Sequence, residues 1–186
     1  MAVIRPFRAV RPAPEAASKV ASVPYDVVNR EEAYEIAKNN PLSLLHVTRA
    51  EIDLEKTTDA YSEEVYQKAC TNFTEIMKNA PLVQEETPKL YVYKLVMGTQ
   101  VQTGIAATFA VDDYRAGVIL KHEKTRKDKE DDRTKHIITT GLQTGPVFLT
   151  YRGVERVNEI VGKTAQGKPL YDFTAEDGIS HTVWIM

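Results

Sequence analysis

The 186 residues include one cysteine, Cys70, so the fold holds no internal disulfide and the chain is expected in a reducing compartment, the cytoplasm. No apolar run approaches the length of a membrane span, and no membrane partner is expected. The opening MAVIRPFRAVR is interrupted by Arg5, Pro6 and Arg8 and lacks the core of a signal peptide. A surplus of either charge is missing as well. The 24 Lys and Arg against 26 Asp and Glu leave a net charge of −2, which argues against a general nucleic-acid coat and confines any anion site to a local cluster. The composition is 42% hydrophobic and 27% charged, near globular averages, so disorder, collagen and a disulfide scaffold are excluded. What is present is enough chain for one sizeable core, without internal repeats or low-complexity linkers, and a single domain over 1–186 is expected.

The pattern along the chain is mixed. A short strand within 2–10 and a loop over 13–18 are predicted, then a strand-like run over 20–28 that bends at Pro24. Asn29, with Glu32 three places on, has the form of a capping box and opens a helix over 31–39 that Pro41 ends. Residues 42–48 read as a buried strand. Over 57–80, Tyr61, Val65, Ala69, Phe73, Ile76 and Met77 recur at three- and four-residue spacings, which predicts a helix with one core face. Cys70 lies beside that stripe and reads as a packed thiol. Two β-rich runs, 89–97 and 100–111, flank Gly98-Thr99 as a hairpin. A turn at 112–117, short strands at 118–120 and 146–151, a helix over 154–164 and a closing strand pair at 170–173 and 181–185 complete an α+β class with a mixed, largely antiparallel sheet and packed helices.

Familiar site motifs fail. Gly162-Lys163-Thr164 ends like a phosphate-binding loop, but Val157 stands where the first glycine is needed, and the tripeptide closes a helix instead of opening one. His122-Glu123 begins like a zinc-protease helix, but Arg126 occupies the second ligand position. No glycine pattern fits a dinucleotide site, and one cysteine excludes a zinc ribbon.

The most polar stretch, 121–136, carries seven Lys or Arg against five Asp or Glu. As a helix it would place His122, Arg126, Lys129, Arg133 and His136 within about 80° of one another, with Glu123, Asp128, Asp131 and Asp132 projecting elsewhere. Such a basic stripe in a slightly acidic chain is an anion site on electrostatic grounds, because guanidinium forks match phosphate oxygens. Thr125 with Asp128 could equally cap the helix and leave His122 and Glu123 in its entry loop. The same run also describes a solvated helix face laced by Glu123 with Lys127 and Asp131 with Lys135. His46 and His181 read as packed or surface histidines, and Tyr25-Asp26 as a turn whose Asp caps the backbone or serves as a carboxylate in a site.

The segments IRPFRAVRP (4–12), VPYDVV (23–28), NPLSLLHV (40–47), His122-Glu123 to His136, and QTGPVF (143–148) together resemble the bacterial and archaeal domain-of-unknown-function 1015 family, nearly end to end. That resemblance implies a relation to the ParB and sulfiredoxin superfamily, whose members bind nucleotide phosphates through His- and Arg-rich segments and include free-serine kinases. It implies a phosphotransferase interconverting serine, or another small hydroxy amino acid, and O-phosphoserine, with ADP or ATP as nucleotide and magnesium riding on the phosphates. Carried onto this chain, Arg126, Lys129, Arg133 and His136 would bind phosphate, Glu123 or Asp26 would be the general base with His122 beside them, and Tyr25 and His46 would meet the substrate. The alternative is a non-catalytic ParB-like module that binds a nucleotide or DNA through the same basic face. Family members are about twice this length, so the chain is expected to be the N-terminal part of a longer protein.

Overall fold

The computed structural model describes residues 2–186, and the backbone divides into two compact units. The first gathers the chain up to Ser18 with Val83–Glu123 and Leu149–Met186; the second holds Lys19–Leu82 and Lys124–Phe148. Helix makes up 37% and strand 19% of the chain, and the strands of the main sheet run antiparallel, so the class is α+β as the sequence predicts.

The strands are β1 (Ile4–Arg5), β2 (Val10–Pro12), β3 (Leu82–Gln84), β4 (Tyr91–Met97), β5 (Gln100–Ala106), β6 (Thr108–Phe109), β7 (Tyr171–Thr174) and β8 (Ser180–Ile185). The helices are α1 (Ala17–Val20), α2 (Arg30–Ala37), α3 (Leu45–Thr48), α4 (Glu63–Asn79), α5 (Val111–Arg115), α6 (Lys127–Thr140) and α7 (Glu155–Thr164).

In the first unit, β5-β4-β8-β7 form the main sheet, and β1 pairs with β6 and β2 with β3. The β4–β5 hairpin closes on Gly98-Thr99 with Met97 opposite Gln100. Gly98 sits at φ 58°, the left-handed conformation that the first central residue of a two-residue turn of this kind requires. β7 and β8 pair Phe173 with His181, as the closing strand pair predicts. Trp184 and Val92 are buried in register on one face, and the Trp184 indole donates to Gly167 O at 3.0 Å. Arg11 and Glu85 form a partly buried pair at 2.6 Å that holds Glu85 below the usual carboxylate range.

The second unit is helical. Asn29 caps α2 by the predicted reciprocal box: its side chain accepts from Glu32 N at 2.9 Å, and Glu32 Oε2 accepts from Asn29 N at 2.8 Å. Ala33, Ala37, Leu45 and Ile52 form the core, with Val23 and Val28 against it. On α4, Val65, Ala69 and Ile76 are buried as the stripe predicts, whereas Met77 is exposed and Tyr61 precedes the helix. The Cys70 thiol is a packed donor, to Thr139 O at 3.2 Å. Arg30 organises the chain that follows α3. Its guanidinium donates to the carbonyls of Glu51, Leu54, Glu55, Lys56 and Thr58, at 2.5 to 3.2 Å, and so fixes a segment with no ladder of its own.

Several expectations are corrected. Residues 42–48 are not a strand: Ser43 turns the chain, with its Oγ accepting from Leu45 N at 3.3 Å, and α3 buries Leu45, Val47 and Thr48. A short apolar run does not by itself separate strand from helix. Residues 13–18 are a 3-10 turn leading into α1, 20–28 contain no strand, and 112–117 belong largely to α5. Residues 118–120 and 146–151 form no strands and find no pairing partner, leaving Leu120, Val147 and Phe148 at least 70% exposed. Finally, α6 starts at Lys127; its N-cap is Arg126, without a side-chain cap, so Thr125 does not play that role.

Candidate functional site

The late start of α6 shortens the basic stripe. His122 lies in exposed irregular chain, and Arg126 stands at the cap with its guanidinium on its own neighbour Asp128, at 3.1 and 2.7 Å. Lys129, Arg133 and His136 remain on the helix at spacings of four and three and line one cleft of the second unit. Val47, Arg49 and Glu51, from α3 and the 3-10 turn Ala50–Asp53, form a second wall, Tyr61 and Tyr66 a third, and Tyr25 the mouth.

The expectation that Asp132 projects away from the stripe is wrong. Asp132 stands three residues after Lys129 and four before His136, which puts it about 40° from His136 around the axis. Only 8% exposed, it accepts from the Tyr66 hydroxyl at 2.8 Å through Oδ1 and from Arg133 Nε at 2.9 Å through Oδ2, with Arg133 Nη2 ion-paired 2.8 Å from the same oxygen. Burial pushes the Tyr66 hydroxyl well above its ordinary value, and the bond to Asp132 adds to the effect. Arg133 is thereby fixed as a flat plate 4.2 Å from the Tyr25 ring. Lys129 donates to Tyr61 Oη at 2.7 Å. Opposite, Arg49 Nε lies 3.0 Å from Oε1 of the buried Glu51, but its N–H is not aligned on that oxygen and makes no hydrogen bond.

His136 is 3% exposed, and its Nε2 lies 2.9 Å from the Val47 carbonyl. A carbonyl only accepts, so the proton sits on Nε2. Burial pushes this imidazole below its ordinary value; Arg133 acts in the same direction, while the Val47 contact and Asp132 pull against it. Burial therefore favours the neutral ring, and the one N–H of that ring is already bonded to Val47, so the expected part of His136 in phosphate binding has no free donor behind it in this tautomer.

The cleft thus holds three cations, Arg49, Lys129 and Arg133, against two carboxylates, Glu51 and Asp132, an excess of one positive charge suited to an anion. Among the described residues no group of three or more His, Cys, Asp or Glu stands together, and both cleft carboxylates face an arginine. The residues present therefore do not form a magnesium cage.

The remaining predicted residues lie elsewhere. Glu123 is exposed in the irregular chain of the first unit, and Asp26 is exposed in the turn after Tyr25, outside the cleft lining. His46 does not line the cleft either. Its Nδ1 meets Asp53 at 2.8 and 3.0 Å, its Nε2 lies 3.3 Å from Ala37 O, and Asn72 bridges His46 O and Asp53 Oδ2 at 2.7 Å each. The hydrogen bond that His46 donates to the Asp53 carboxylate raises the His46 pKa above its ordinary value in spite of burial. This is a clamp joining α2, α3 and α4. Sequence reasoning missed Glu51 and Asp132. The spacing of Asp132 was a usable signal, whereas Glu51 enters only through tertiary packing.

No helix among the described residues is long and apolar enough to cross a membrane. Comparison with curated proteins and with solved structures gives no match. Residues 4–186 match the family model described as "Protein of unknown function (DUF1015)". With nearly its whole length inside that model, the chain belongs to the DUF1015 family.

Proposed function

We propose that this chain is a nucleotide-dependent phosphotransferase on a small hydroxy amino acid, interconverting serine and O-phosphoserine in the cytoplasm, with a ParB-like site. One observation carries the reading: Lys129 and Arg133 converge with the Tyr25 ring in a single cleft of net positive charge. Phosphoryl transfer asks little covalent chemistry of a protein and much fixed positive charge around the moving group. Lys129 supplies a mobile ammonium, and Arg133 a guanidinium already oriented by Asp132. The remaining N–H groups of Arg133 are the donors for phosphate oxygens, and Tyr25 offers an apolar wall for the amino acid or the base of the nucleotide.

The test is mass-spectrometric detection of O-phosphoserine after incubation with L-serine, magnesium and ADP or ATP, alongside Lys129→Ala and Arg133→Ala. Product that falls at least about a hundredfold in both variants supports the reading. A folded wild-type chain that yields no product overturns it. A non-catalytic module that binds nucleic acid would draw on the exposed Lys124, Arg126 and Lys127, but Asp128 and Asp131 already pair with two of these. That module predicts affinity for DNA falling steeply with salt and indifference to free nucleotide.

A further inference from the structure

We propose that His136 is the general base of this site, taking the proton of the attacking hydroxyl on Nδ1; the inference rests on the phosphotransferase reading. Three geometric facts carry it. His136 lines the cleft while remaining almost wholly buried. Its Nε2–H is committed to the Val47 carbonyl at 2.9 Å, which fixes both the ring plane and the tautomer. Nδ1 then carries the free lone pair, because the bond to Val47 is the one hydrogen bond of the ring among the described residues.

A base held by a carbonyl on its far nitrogen has the same logic as a base oriented by a buried carboxylate, with a weaker pull on the proton. The cleft carboxylates are poorer candidates. Asp132 already accepts two hydrogen bonds, from Tyr66 and Arg133, and is ion-paired with the same guanidinium, and Glu51 sits against Arg49. His136 follows Arg133 by three residues on the same helical face, so the imidazole and the phosphate-binding guanidinium line one cleft.

The step balances without a further reagent. As the serine oxygen forms its bond to phosphorus, its proton moves to Nδ1, the bridging P–O bond breaks, and the electron pair leaves with a nucleotide one phosphate shorter. The imidazolium so formed returns its proton to solvent or to the product phosphate. The charged groups that shift this ionisation, beside burial, are Arg133 and Asp132 on α6; Lys129 on α6, Tyr66 on α4, Arg49 and Glu51 are further charged and titratable groups lining the same cleft. Because the free ring is neutral, wild-type turnover rises with pH through a single ionisation below the ordinary histidine range of about 6.5 and then levels off.

The experiment combines His136→Gln with ring-nitrogen NMR of the wild-type chain. Glutamine keeps an N–H able to reach the Val47 carbonyl but has no titrating lone pair. Turnover is expected to fall about a hundredfold to ten-thousandfold, the KM for serine and nucleotide binding to stay within about threefold, and the acid limb of the pH profile to disappear. The NMR spectrum of wild type is expected to show a protonated Nε2 and a bare Nδ1, a measurement that needs neither substrate nor a variant that folds. Full turnover in His136→Gln, or a proton resting on Nδ1, overturns the base and leaves the phosphotransferase standing. Loss of nucleotide binding in step with turnover makes His136 a structural or ligand-binding residue and also overturns the base. A wild-type chain that makes no O-phosphoserine refutes the phosphotransferase itself, and the base falls with it.

Discussion

The buried contact between Tyr66 and Asp132 makes a thermodynamic prediction with a sign that simple contact counting would miss. Tyr66 is 2% exposed, and its hydroxyl donates only to Asp132, at 2.8 Å. Asp132→Ala strands that hydroxyl, at about 1–3 kcal/mol for a buried unsatisfied group. It also removes the partner of Arg133, whose side chain keeps 25% exposure and the Tyr25 face, so this loss stays well below the ~3–5 kcal/mol of a fully buried pair. The sum is roughly 3 kcal/mol. Tyr66→Phe removes the donor together with its need and leaves Asp132 bonded to Arg133, at about 1 kcal/mol. In the double variant no hydroxyl is stranded, so its cost falls short of the sum of the singles by about 1–2 kcal/mol. Urea unfolding followed by far-ultraviolet circular dichroism measures all three. With a slope of about 2 kcal/mol per molar, the Asp132→Ala midpoint drops by roughly 1.5 M. Costs that add to within about 0.5 kcal/mol, or an Asp132→Ala variant no less stable than Tyr66→Phe, would refute the linkage.

Further expectations concern the frame around the cleft. His46 has a folded-state pKa raised by Asp53, so its contribution to stability is fully present below the unfolded value of about 6.5 and is lost as pH rises through the folded value. His136 titrates with the opposite sign, so the clean observable is the difference in melting temperature between wild type and Asp53→Asn. That gap should be wider near pH 5 than near pH 9, and a constant gap would contradict the clamp. Arg30→Ala frees five carbonyls at once and should speed amide hydrogen exchange over 51–58 by at least about tenfold, while Arg30→Lys recovers little of the loss. Asn29→Ala removes the cap of α2 and should destabilise by about 1 kcal/mol in thermal unfolding, with Asn29→Ser close to wild type.

What could be read from the sequence was local. The Asn29 and Glu32 box, the Gly98-Thr99 turn, the buried stripe Val65, Ala69, Ile76 and the β7–β8 pair each depend on residues a few positions apart. The misread elements depend on partners far along the chain. Residues 42–48 turn at Ser43 and end in the short helix α3, with Leu45 packed into the core beside Ala33, Ala37 and Ile52, whereas 146–151 has the composition of a strand but no strand to pair with. The stripe on α6 was visible as Lys129, Arg133 and His136, but its chemistry was not. Burial in the folded chain, not anything local, pushes His136 toward the neutral ring, and the Val47 carbonyl, 89 residues away, fixes which nitrogen keeps the proton; the bonds of Asp132 to Tyr66 and Arg133 show what its spacing only hinted, that it faces inward.

The most direct measurement is backbone amide NMR titration of the folded chain with ATP, and in parallel with ADP, repeated on Arg133→Gln. Saturable shifts concentrated at Tyr25, Glu51, Lys129 and Arg133, and weakened at least about tenfold by the substitution, are the predicted result. Shifts that ignore these residues, or a titration unchanged by Arg133→Gln, would contradict a phosphate site in the cleft.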